Sequence, residues 1–171
     1  MTVPRKTAFD VPAHKLDAMD QSFLSRIRDH GWTASWISPE GNLPGYSFTT
    51  GIEYSTGCPE IVIFSCPNNV ANDLNWAIWR RLREAGPLPV GVPVSGIIPE
   101  GPEVVFLNMD KTHYEEHLGY SRWFYLGNGF EALIMYWPDK NGKFPWQEGV
   151  ASEMAHLQPD LTGGDWAGLS G

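Results

Sequence analysis

The sequence predicts a single α+β domain: a mainly antiparallel sheet with two main helices packed on one face. Helical and strand-like segments follow one another without the strict alternation of a doubly wound sheet. Two stretches carry apolar residues at helical spacing, and three short, nearly continuous apolar runs have the length of strands. A chain of 171 residues, 42% of them hydrophobic, suits one core of ordinary size. The expected organisation is a flexible N-terminal arm over 1–10, the domain over 11–161, and a Gly-rich flexible tail over 162–171.

Each element follows from its pattern. Pro12 suits the first turn of a helix, and Leu16, Met19, Phe23, Leu24 and Ile27 share one helical face up to His30-Gly31, where glycine can take the left-handed cap. Trp32, Ala34 and Trp36 alternate as in a strand. Ser38 to Gly45 reads as a turn leading back into Tyr46 to Tyr54, which makes a hairpin. Glu60 to Cys66 is an apolar run closed by Pro67 and suits a central strand buried on both faces. Asn68 or Asn69 offers a cap for a second helix, with Val70, Leu74, Ile78 and Leu82 along it and Gly86-Pro87 at its end. The Pro- and Gly-rich stretch 86–102 reads as an irregular edge or ordered loop. Glu103 to Met109 and Phe130 to Trp137 are further strands, with a short helix around Lys111 to Leu118 between them.

Charge and cysteine content bound the function classes. Twelve Lys and Arg against twenty Asp and Glu leave a net charge of -8, which repels phosphate backbones and anionic lipid. The reading is therefore no nucleic acid and no membrane partner, and Arg80-Arg81-Leu82-Arg83 is read as the solvated face of a helix. Two cysteines, Cys58 and Cys66, make no disulfide framework, and no apolar run has the length of a spanning helix or a signal-peptide core. A cytoplasmic location is expected. No phosphate loop, dinucleotide fingerprint or nucleophile elbow occurs, so no cofactor is assigned.

Several segments carry chemistry-bearing residues. His113-Tyr114-Glu115-Glu116-His117 matches the letters H-x-x-E-H, which on a helix set two imidazoles one turn apart beside a carboxylate. Gly119 ends that helix too soon for a zinc peptidase, so the polar short helix is the main reading. No metal ligand is assigned, and a zinc hydrolase stays a minor alternative that Glu153 or His156 would have to complete. Cys66, at the end of a strand ahead of a helix N-terminus, is read as a small buried thiol. The run Trp137-Pro138-Asp139-Lys140-Asn141-Gly142-Lys143-Phe144-Pro145-Trp146 brackets a polar turn between two aromatic-proline corners. Asp139 there either caps the turn or acts as a functional carboxylate.

That run, with His30-Gly31-Trp32, the Tyr46 to Tyr54 segment, Pro59-Glu60 and His113-Tyr114, resembles the family called domain of unknown function 4262. The resemblance spans Phe23 to Leu161. Thr49 and Gly51 stand as in the family pattern, whereas Phe48 and Thr50 replace its usual tyrosine and valine. Gly51 implies a bulge or a close backbone approach, and Glu60 either bonds the neighbouring turn or faces a pocket as a base. The resemblance implies a compact bacterial cytoplasmic domain and names no reaction.

The first functional reading is a pocket protein that binds a small molecule or peptide segment. His113, Asp139 and Glu60 are its candidate acid–base groups, and Trp32, Thr49, Gly51, Tyr114, Trp137 and Trp146 its candidate ligand-binding residues. The second is a non-catalytic interaction domain, regulatory or immunity-type, that meets a protein partner through acidic and aromatic surface. The two part on whether His113 and Asp139 face one cleft.

Overall fold

A computed structural model describes residues 5–169. Among them, six strands form one sheet in the order β1-β2-β3-β6-β5-β4: β1 (Thr33–Ile37), β2 (Tyr46–Thr50), β3 (Glu60–Phe64), β4 (Pro93–Val94), β5 (Val104–Asn108) and β6 (Ala132–Tyr136). Only β3 and β6 pair parallel; the other four ladders are antiparallel. The class is α+β, with the mainly antiparallel sheet that the sequence predicts.

The first helix, α1 (Ala18–His30), starts two residues after Leu16. Asp17 accepts from the Asp20 N–H while the Asp20 side chain accepts from the Asp17 N–H, a reciprocal cap that leaves Leu16 outside and Met19 exposed. Gly31 ends the helix in the left-handed region at φ 89°, as expected. The strand expected over Tyr46 to Tyr54 stops at Thr50; from Ile52 to Thr56 the chain forms a short helix, α2. Next comes α3 (Asn68–Ala85), stopped by Gly86. Its apolar face differs from the expected one at the start: Val70 is exposed, and Ala71, Leu74, Asn75, Ile78, Trp79 and Leu82 turn inward. The helix foreseen near residue 111 is a 3-10 turn and α4 (Tyr114–His117), with a second helix behind it, α5 (Gly119–Tyr125).

One expectation about layers is corrected. The two main helices lie on opposite faces of the sheet. Phe23, Leu24 and Ile27 of α1 join Phe48, Val62, Phe64, Leu107 and Ile134 in one core, together with Phe124 and Tyr125 of α5. Leu74, Ile78 and Leu82 of α3 join Ile61, Ile63, Phe106, Leu133 and Met135 in the other. The reason is in the strands. β3 and β6 are buried at every position, so both parities of side chain are apolar and each face needs its own helical cover.

Parts of the expected arm and tail are packed. Ala8 and Thr7 are buried, and Arg5 pairs with Glu53. At the other end, α6 (Met154–Leu157) and α7 (Asp165–Leu169) follow β6, and Trp166 packs on Tyr136 and Trp146. Residues 1–4 of the expected arm and 170–171 of the expected tail lie outside the described residues. Among the described residues no helix is long and apolar enough to cross a membrane.

Candidate functional site

Glu60 enters β3 with its carboxylate fully buried, in a niche made by the β2–α2 corner. Oε1 accepts from the Thr49 hydroxyl at 2.8 Å and the Ile52 N–H at 3.1 Å. Oε2 accepts from the N–H groups of Gly51 at 3.1 Å and Glu53 at 3.0 Å, and from the Tyr125 hydroxyl. These donors include the first backbone amides of α2, so Glu60 serves as a cap supplied by another strand. Burial pushes its carboxyl up to about 7, against the opposing pull of the hydrogen bonds from Tyr125, Glu53, Thr49 and Ile52.

The neighbours of Glu60 on the candidate roster are tied into the same niche. Besides donating to Glu60, the Thr49 hydroxyl accepts from the Ile61 N–H at 2.8 Å. Gly51 sits at φ 106°, and a Cβ there would lie 2.9 Å from the Gly31 carbonyl oxygen. The close backbone approach expected at Gly51 is thus made by the end of α1. None of the three lines a cavity described below.

Asp139 is likewise occupied by backbone. Its Oδ1 accepts from the N–H groups of Asn141 and Lys143 at 2.8 and 2.9 Å, and its Oδ2 from that of Ala151 at 2.9 Å. The Lys143 and Ala151 amides hold its carboxyl below the usual range. Trp137 donates its indole N–H to the Phe64 carbonyl at 3.1 Å, and Trp146 stacks on Phe144. Tyr114 is fully buried and stacks on Phe130. Neither tryptophan, nor Tyr114, nor Asp139 shares a cavity with His113.

His113 does line a cleft, of about 520 Å³, on the α1 side of the sheet. Its wall carries His113, Glu116 and His117 from the α4 turn and His156 from α6; Glu40 stands on the β1–β2 loop, and Tyr46 and Phe64 of β2 and β3 form the floor. His117 is the best fixed of these. Its Nδ1 lies 3.0 Å from the His113 carbonyl oxygen, and since a carbonyl only accepts, Nδ1 carries a proton, which in the neutral ring leaves the lone pair on Nε2. The Tyr46 hydroxyl donates to the His117 carbonyl at 2.8 Å, and the Tyr46 and Phe64 rings pack against the imidazole. Burial pushes the Tyr46 phenol up to about 12, so it stays a neutral donor. This arrangement can accept a proton or a hydrogen bond at His117 and bury an apolar body against Tyr46 and Phe64.

His117, His156, Glu116 and Tyr46 are not among the catalytic or ligand-binding candidates of the sequence. The H-x-x-E-H spacing points to His117, with His156 to complete the set, only as metal ligands, and nothing local announces that β2 and α6 converge on one cleft. Among the described residues no three His, Cys, Asp or Glu side chains are grouped to hold a metal ion.

Trp32, packed in the α3-side core, lies elsewhere, at a smaller cavity of about 270 Å³ lined from α1, β1 and α3 at the β1 edge of the sheet. It is packed edge-on to Trp76, with ring centroids 5.0 Å apart. Cys66 is half-buried, and burial pushes its thiol up to about 11.

The model of the family described as domain of unknown function (DUF4262) matches residues 26–151, most of the 171-residue chain, and the chain belongs to that family. No curated protein and no solved structure matches it.

Proposed function

We propose that this chain is a cytoplasmic binding protein for a small molecule or a short peptide segment, held in the histidine cleft. The observation that carries the reading is that His113, His117 and His156 line one cleft with Tyr46 and Phe64, in a volume typical of ligand sites. His117 presents Nε2 as acceptor or base, and Glu116 and Glu40 supply carboxylates at the rim. The expectation that His113 and Asp139 face one cleft fails, and the His113–Asp139 pair with it; the binding reading rests on the histidine cleft alone, because the Asp139 and Glu60 carboxylates are already engaged with backbone donors.

A fragment and short-peptide library, screened by amide chemical-shift mapping on labelled protein, tests this. Hits should shift resonances of residues 113–117 and 154–159 and should lose at least tenfold in affinity in His117→Ala. A library without such hits, or hits indifferent to His117→Ala, would overturn the proposal.

The interaction-domain reading has its own support in an apolar strip on the edge strand and the loop after it. Trp36, Ile37 and Leu43 are exposed there, beside an open backbone edge of β1. A partner segment would add to that edge, and Trp36→Ser with Leu43→Ser should abolish its binding.

A further inference from the structure

Resting on the cleft reading above, we infer that the ligand of the histidine cleft is a peptide segment in which a Lys or Arg stands beside apolar residues, laid along a groove that runs past the β1–β2 loop. The groove is longer than the cleft. A second cavity, of about 380 Å³, adjoins it and is walled by Trp36, Pro39, Cys66, Pro67 and Leu157. The two share Asn42, Leu43, Pro44 and His156. Adjoining cavities of this kind suit an extended chain that seats successive side chains, whereas a compact molecule fills one of them.

The apolar part of the ligand follows from what the fold leaves uncovered. Ile37 lines the cleft, Trp36 the second cavity and Leu43 both, and all three are exposed, Leu43 at 65%. Trp36 is anchored there, its indole N–H donating to the Cys66 carbonyl at 3.4 Å. The loop sets an apolar group and a charge side by side. Glu40 and Leu43 exchange both backbone hydrogen bonds, at 3.1 and 2.9 Å, across a two-residue turn in which Gly41 takes φ 58°. Residues paired in this way carry their side chains on one face, so the Glu40 carboxylate stands next to the Leu43 side chain, and both line the cleft. Pro39 and Pro44 flank the turn and stiffen it, which lowers the cost of ordering it on binding.

Charge sets the sign of the rest. Glu40 and Glu116 line the cleft, and no Lys or Arg lines either cavity. Among the described residues neither carboxylate is paired with a cation. Glu116 acts on the cleft floor: after burial, its charge is what raises the Tyr46 phenol. An ammonium or guanidinium group only donates, and it finds acceptors here in Glu40, Glu116 and the free Nε2 of His117. The net charge of -8 draws a basic segment toward the chain and repels an acidic one.

The test uses the full chain and three pools of acetylated, amidated hexapeptides, each randomised in order. The first pool is built from one Lys, two Leu and three Ala, the second has Glu for Lys, and the third has Ser for both Leu. Binding is followed by amide chemical-shift mapping at pH 7.5. The first pool should shift resonances of residues 36–45 and 113–117 together, and its tightest member should bind at least tenfold more tightly than its Glu or Ser counterpart. Glu40→Gln combined with Glu116→Gln should weaken that member at least tenfold, and Leu43→Ser at least fivefold; all three side chains are exposed, so the fold is undisturbed. Equal affinity for the Lys and Glu members, shifts at 113–117 without shifts at 36–45, an affinity indifferent to either variant, or silence from all three pools would each overturn the inference. Silence from the pools together with a fragment that binds in the cleft and is weakened by His117→Ala would leave the cleft reading standing without this one.

Discussion

The Tyr125 hydroxyl, on the last residue of α5, donates to the Glu60 carboxylate at the entrance of β3 and at the same time accepts the Tyr54 N–H at 3.1 Å. One phenol thus ties the helix before β6, the central strand and the β2–α2 corner together. Burial pushes Tyr125 far above the ordinary phenol range, so it remains a donor wherever the protein is folded.

Stability should depend on pH through Glu60. Its carboxyl sits at about 7 in the folded chain against an ordinary 4.5, so the native state holds the proton more tightly than the unfolded one. The stabilisation is fully present below about 4.5 and is lost as pH rises through about 7, a change of about 3 kcal/mol. The unfolding free energy of wild type minus that of Glu60→Gln, measured in urea, should fall by that amount between pH 4.5 and 8. Taking the difference cancels the histidine titrations. A flat difference would mean that Glu60 titrates as it does in the unfolded chain.

Gly51→Ala should be costly and Gly57→Ala mild. Both glycines have positive φ, 106° and 78°, but a Cβ at Gly51 meets the Gly31 carbonyl oxygen at 2.9 Å and Ile27 Cγ2 at 3.0 Å, whereas Gly57 opens to space. Thermal unfolding should show a loss of about 3 kcal/mol for the first and about 1 kcal/mol for the second. Equal losses would show that strain alone matters and that the Gly31 contact yields.

Asp139→Asn should loosen the turn without touching the cleft. An amide in place of the carboxylate sets N–H against N–H at one of the three backbone donors. Amide exchange should quicken over residues 139–151, and the affinity of any cleft ligand should hold. Because its carboxyl is held below the usual 3.8, this contribution is present above that value and is lost as pH falls through the lower folded one. Unchanged exchange with weakened binding would instead assign Asp139 to the ligand.

The sequence by itself determined the class, a central buried strand beginning at Glu60, the left-handed end of α1 at Gly31 and the helix ending at Gly86, because these depend on periodicity, caps and breakers that act within a few residues; the strand expected to reach Cys66 ends at Phe64, since Ser65 turns to φ 61°. It also singled out Glu60, Thr49, Gly51 and Asp139 as special, but could not separate ligand from backbone as the thing they serve. Only the tertiary structure decided that. The donors to Glu60 come from β2, α2 and α5, and the partner of His117 is Tyr46, 71 residues away. Whether a carboxylate is spent on its own fold or left to meet a solute depends on which donors the packing brings to it. The placing of α1 and α3 on opposite faces has the same origin: each helix shows its apolar stripe in its own sequence, but which side of the sheet it covers is set by both faces of β3 and β6 requiring burial at once.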